Sequence, residues 1–181
     1  MKKCYFLLAL FLLLTNSVFS QTKEEQAVKL YEEKSLIESR EIFEGILEKN
    51  PENERVMEYL GSIAFDFKEY QKAADYVKPL MEKHPEVARF HFKYAGAIGL
   101  YAKNNKFKAM FLLDDIKKHF HIAVDLDKTF VEARLALVHL YMELPKVLGG
   151  SKDKALFYAK EVAELDVNAG VEAMRLITSS D

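Results

Sequence analysis

The sequence predicts an all-α protein built from repeated helix pairs. Two observations carry that prediction. Like residues recur along the chain at a fixed offset, and Gly (7) and Pro (4) are sparse in 181 residues. A chain with so few breakers and many Lys, Glu, Ala and Leu favours helices over a turn-rich β fold. Half of the residues are apolar and 30% are charged, an ordinary globular balance. The length suffices for one domain or one short array of repeats.

The first twenty residues read as a separate element. Lys2 and Lys3 are followed by an unbroken apolar run from Tyr5 to Leu14, then by Thr15, Asn16 and Ser17. Val18-Phe19-Ser20 places branched and small residues before a cut after Ser20. This is the layout of a secretory signal peptide, and the run is short for a membrane span. The expectation is a signal peptide over 1–20 and a periplasmic or secreted protein, with membrane attachment only while the leader is uncleaved. Cys4, the one cysteine, leaves with the leader, so the mature chain has no disulfide, thiolate nucleophile or thiolate zinc ligand. Loss of the two leader lysines takes the formal charge from −2 to −4. Mild acidity argues against nucleic acid as a partner, because phosphate binding needs a basic face.

The repeat is set by Pro51 and Pro85, 34 residues apart. On that offset Ala27 meets Gly61, Tyr31 meets Phe65, Ser39 meets Ala73, Phe43 meets Val77 and Ile46 meets Leu80. Antiparallel helices approach closely only where a side chain is small. Ala27/Gly61 and Ser39/Ala73 are therefore expected at helix contacts, with Phe43 and Leu80 filling the space between repeats. Asn50-Pro51 and His84-Pro85 stop the second helix of each pair. A third repeat carries Tyr94-Ala95-Gly96 in its first helix and Phe120 and Ala123 in its second, with Lys128 in place of the proline. A fourth carries Val138 and Tyr141, then Ala155, Ala159 and Val162.

Gly61, Ala73, Val77, Leu80 and Pro85 resemble the tetratricopeptide repeat (TPR) pattern, and the resemblance covers about residues 22–177. It implies a right-handed α-solenoid of about four helix pairs, with a TPR domain over 21–181, repeats near 22–53, 54–87, 88–130 and 131–168, and a capping helix over 169–178. Solenoids need such a cap to cover the last apolar face. Two stretches depart from the pattern. Around Asn104 to Asp115 the third repeat has roughly nine residues too many, yet Phe107, Met110, Phe111, Leu113 and Phe120 keep a helical apolar spacing through it. The second helix is expected to be lengthened there and to bury these side chains in the core, a partner or dimer surface being the alternative. Leu144 to Ser151 adds roughly five residues between the helices of the fourth repeat, with Pro145 ending one helix, Gly149-Gly150 turning, and Ser151 capping the next.

Catalytic and metal-binding patterns are weak. Ser151-Lys152-Asp153-Lys154 has the serine-to-lysine spacing of penicillin-recognising enzymes but none of their other motifs, and reads as a helix cap. Gly149-Gly150-Ser151 could instead form a backbone nest for an anion. Of the five histidines, His119 and His121 point in different directions on one helix, and none forms an H-E-x-x-H motif. Asp125, four residues after His121, could share a face with it as a metal pair, but the expectation is a solvated hydrogen bond. Asp114-Asp115 and Lys117-Lys118 read as ion pairs on a wet face. No enzyme, cofactor or metal is expected.

The TPR resemblance implies a concave groove lined by the first helix of each pair. The matching positions expected to bind are Arg55, Glu58, Ser62 and Phe65, then Arg89 and Phe92, then His139 and Met142. Gly96 and Gly99 would thin one wall. TPR domains that grip a terminal carboxylate use Lys and Asn, whereas the matching positions here hold Glu58 and Ser62, Phe92 and Gly96, Leu135 and His139. The expected partner is therefore an unidentified protein or apolar peptide, and the expected function a non-catalytic scaffold in the bacterial envelope. The alternatives are an accessory binding protein for a small hydrophobic or anionic ligand, or a groove filled by the chain's own C-terminal helix or insertion.

Overall fold

The computed structural model describes residues 22–179; the leader expected at 1–20 lies outside them. The described residues form helices in the order α1 (22–32), α2 (Leu36–Lys49), α3 (Glu54–Asp66), α4 (Tyr70–Lys83), α5 (Ala88–Lys103), α6 (Lys106–Leu126), α7 (Val131–Glu143), α8 (Lys152–Leu165) and α9 (Val167–Thr178). One 3-10 turn, Lys146–Leu148, lies between α7 and α8, and no strand occurs among the described residues. The all-α fold of four helix pairs and a terminal helix is the one the repeat predicts. The chain divides into two compact units, one ending at Tyr76 and one beginning at Val77.

In the first unit the small residues do what their spacing implies. Ala27 and Ser39 are fully buried, and the Ser39 hydroxyl donates to the Ala27 carbonyl at 2.8 Å. A larger side chain at either position would hold α1 and α2 apart. Phe43, Ile46, Val56, Leu60 and Ile63 complete the core. Tyr59 stacks on Phe43 at 5.0 Å and meets Tyr31 edge-on at 5.2 Å. Asn53 caps α3 by accepting from the Val56 amide. The turns after α1 and α3 are the same device, 34 residues apart. Lys34 (φ 64°) and Lys68 (φ 62°) are left-handed, and the amides of Ser35 and Glu69 reach back to the carbonyls of Leu30 and Ala64. Both are Schellman turns built on lysine where glycine is usual. Arg40 binds both Glu69 oxygens at 2.8 Å and Glu44 at 3.0 Å, and Lys72 joins Glu44 at 3.2 Å. Those carboxylates raise the Arg40 guanidinium further above its ordinary value.

In the second unit α6 is one continuous helix of 21 residues, lengthened as expected. Its buried part is confined to the C-terminal half, where Ile116, Phe120, Ala123 and Val124 enter the core. Phe107, Met110 and Phe111 were expected to be buried and are instead 89%, 76% and 79% exposed. A three-to-four spacing marks one helix face; it does not say what covers that face, and the first turns of α6 run past the core. Lys117 does not pair within the charge cluster: its ammonium donates to the Leu148 carbonyl at 2.7 Å. The loop after α7 behaves as its residues suggest. Gly149 is left-handed at φ 92°, a Cβ on Gly150 would overlap the Leu144 carbonyl, and the Ser151 hydroxyl caps α8 by accepting from the Lys154 amide at 3.2 Å.

Gly170 sets the crossing of α8 and α9, since a Cβ there would overlap the Cα and Cβ of Ala163. Backbone atoms cannot swing aside as a side-chain tip can. Gly170→Ala is therefore expected to destabilise the fold by about 1–3 kcal/mol, despite alanine's better helix propensity. Urea unfolding followed by circular dichroism checks this; an unchanged midpoint would mean that the two helices separate freely.

Candidate binding groove

The residues expected to line the groove fall on α3, α5 and α7. On α3, Arg55 is already engaged: it donates to Glu24 of α1 at 3.1 Å and lies 5.9 Å over the Tyr59 ring. Glu24 also accepts from Asn53, which ties α1 to the start of α3. The Ser62 hydroxyl turns back to the Glu58 carbonyl at 3.1 Å. Phe65 is 37% exposed, with its ring edge-on to Tyr70. Of these four residues Phe65 offers the largest open apolar surface.

On α5, Arg89 lies 4.5 Å over the Phe90 ring. Phe92 is half-buried, 4.9 Å from Phe130 and 6.1 Å from Phe120, so it belongs to an aromatic cluster more than to an open surface. Gly99 does not thin a groove wall: a Cβ there would face Ile116 of α6 at 3.8 Å.

On α7, His139 is exposed and Met142 half-buried. Here the structure forms a concavity. Leu135, Val138 and His139 of α7 face Ala169, Glu172, Ala173, Arg175 and Leu176 of α9 across an open pocket of about 450 Å³. Leu135, Val138, Ala169 and Ala173 supply its apolar walls, and His139, Glu172 and Arg175 its polar groups. The C-terminal helix thus lies beside the α7 groove positions without closing them. Sequence reasoning named His139 and set the C-terminal helix against the groove as a filler, but named none of the α9 residues that line this pocket. The signal was available in the small residues Ala169 and Ala173, one turn apart.

Three polar clusters escaped the sequence reading. His91 and His119 are both buried, with their Nδ1 atoms 2.8 Å apart. His91 Nε2 lies 2.9 Å from the Pro85 carbonyl, which can only accept. His91 therefore carries its proton on Nε2, and His119 donates from Nδ1. Burial, then the His91 neighbour, depresses the His119 pKa. His121 bridges Tyr141 (2.9 Å) and Tyr158 (3.1 Å), and burial depresses it too. Burial, with Tyr141 and Glu161 adding, pushes the Tyr158 hydroxyl up to about 12, so it stays protonated and is no phenolate nucleophile. In the third cluster Arg134, with only 5% of its side chain exposed, donates to Glu161 at 3.1 Å and to the Phe130 carbonyl at 3.2 Å.

The histidines set a pH dependence. Their folded pKa values lie below the ordinary 6.5, so the unfolded chain binds more protons in the window just below 6.5. Their contribution to stability is full above about 6.5 and is lost as pH falls toward the folded values. Urea midpoints should decline from pH 7.5 to pH 5.5, and His119→Phe should flatten part of that decline; a flat profile in the unaltered protein would mean that His119 and His121 take up protons in the fold as readily as in the unfolded chain.

The residues of the serine–lysine, anion-nest and His121–Asp125 readings are engaged elsewhere. Ser151 caps α8, while the Lys154 ammonium lies 5.1 Å over the Tyr141 ring. The amides that would form an anion nest are spent: Gly149 on Lys146, Gly150 on Pro145 and Ser151 on Tyr141. Asp125 pairs with Lys128 at 2.8 Å. Among the described residues no three His, Cys, Asp or Glu side chains group as metal ligands, and no helix is long and apolar enough to cross a membrane.

Comparison with solved structures agrees with the helix-pair architecture. The chain is similar to TTC0263, a thermophilic TPR protein of Thermus thermophilus, with 17% identity over 85% of this chain and 80% of that one and a TM-score of 0.67. It is also similar to MamA from residue 41 to the end of Desulfovibrio magneticus RS-1, with 16% identity over 82% and 76% of the two chains and a TM-score of 0.65. A further MamA structure shares 14% identity over 89% and 85%, again with a TM-score of 0.65. At these identities the likeness is one of fold. No family model matches the sequence, and no curated protein matches it.

Proposed function

We propose that this chain, which has the fold of TPR proteins, is a non-catalytic scaffold of the bacterial envelope that binds a protein or peptide at the α7–α9 surface of its second unit. The observation that carries the reading is the open pocket between α7 and α9, because it falls at the groove positions Leu135 and His139. Its apolar walls suit an apolar side chain, and Arg175 and His139 at its edge suit polar backbone or acidic groups beside it. A repeat stack presents such surfaces and leaves chemistry to its partners. Support for the envelope is the leader pattern of residues 1–20.

A small ligand is the second reading, favoured by the pocket's volume, which lies within the usual range for such sites. One experiment separates the two. Cross-linked pull-downs from native envelope would use the unaltered chain and a bait carrying His139→Asp and Arg175→Glu, both exposed positions. A defined protein held by the first and lost by the second supports the scaffold. A small molecule in the native mass spectrum, lost on the same substitutions, supports the ligand reading. Equal capture by both baits would remove the pocket from the account.

A further inference from the structure

We propose that the chain pairs with a second copy of itself through the amino-terminal half of α6, two such helices lying antiparallel about a two-fold axis beside Met110 and Phe111. Met110 and Phe111 lie three and four residues after Phe107, so the three share one face of the helix, and all three are more than three-quarters exposed. The same helix buries its aromatic and aliphatic side chains only after Asp115. The stripe is therefore an apolar surface that the fold itself leaves open.

Size and charge both point to a second copy. Each phenylalanine presents roughly 150 Å² or more. With Met110, each copy offers on the order of 400 Å². Two copies would remove about 800 Å², the scale of a weak, reversible pair. Charge fixes the orientation. The first turn of α6 contains no acidic residue and is followed by exposed Lys108, while exposed Asp114 and Asp115 lie two turns on. A two-fold axis between residues 110 and 111 sets Asp114 and Asp115 of one copy against residues 107 and 106 of the other. Carboxylates then meet the positive end of the opposing helix, within reach of its Lys108. A parallel pair would set like charges together. The contact is isologous, so it closes at two copies.

Sedimentation velocity over a wide concentration range tests this on the purified chain. Expected are a reversible dimer and a loss of dimer affinity of about thirtyfold or more for each of Phe107→Ser and Phe111→Ser. Because both side chains are exposed, the melting curve of each variant, taken at a concentration where the unaltered chain is monomeric, should be unchanged. The charge pattern gives an independent readout. Asp114→Lys with Asp115→Lys, and separately Lys108→Asp, should each weaken self-association, whereas mixing the two variants should restore a heterodimer. A chain that stays monomeric at every concentration overturns the proposal. So does a dimer indifferent to these substitutions, or a monomer that instead floats with anionic lipid vesicles through the same phenylalanines.

Discussion

Phe43→Ala is expected to cost about 3–5 kcal/mol, a large share of the stability of a domain this size. Phe43 is fully buried and stacks on Tyr59, in a core shared by residues of α1, α2 and α3. Removing the ring deletes its transfer free energy and leaves a cavity that three helices would have to shift to fill. Phe43→Leu should cost much less, because it keeps most of the volume. Urea unfolding by circular dichroism measures the difference. If alanine and leucine were equally tolerated, the helices of the first unit would not be held by this core.

The second large effect is expected at Arg134. Its guanidinium is nearly enclosed, and Glu161 is its carboxylate partner, with carbonyl oxygens of Phe130 and Asp127 taking other N–H groups. Glu161→Ala leaves a buried cation with only neutral acceptors and should cost about 3 kcal/mol. Replacing both residues, as Arg134→Met with Glu161→Leu, should recover most of that loss, since a hydrophobic pair of similar size avoids the desolvation penalty. The midpoints of the single and double variants form the test. A double variant as unstable as the single one would mean that Arg134 acts mainly by holding the carbonyls that end α6 and begin α7.

The helix pairs were legible because their signals are local and steric. Small residues sit where helices touch, as Ala27, Ser39 and Ala73 do, and Pro51 and Pro85 each follow a helix that ends just before them, although Pro79 lies inside α4. The loop after α7 was legible for the same reason, as Gly149, Gly150 and Ser151 each answer a backbone need. The Schellman turns at Lys34 and Lys68 were not, because lysine carries no mark of a left-handed conformation even when it repeats at the right offset. Apolar spacing misled at Phe107, Met110 and Phe111, since a core face and an interface face have the same period. Lys117 shows a further gap: its neighbours Asp114 and Asp115 suggested local pairing, while its partner is the Leu148 carbonyl, 31 residues away. The pocket between α7 and α9 was readable in part. Its α7 side includes His139, named from its repeat position, and the small Ala169 and Ala173 mark the α9 side, but how the terminal helix docks is not a local property.

The proposed function requires the surface around His139 to hold another protein. The most direct measurement is photo-cross-linking in the native cells, with a photoreactive amino acid placed at His139 and, as a control, at exposed Lys160 of α8. A discrete protein adduct is expected from position 139 and none from position 160. Adducts from position 160 alone, or none from position 139, would contradict it.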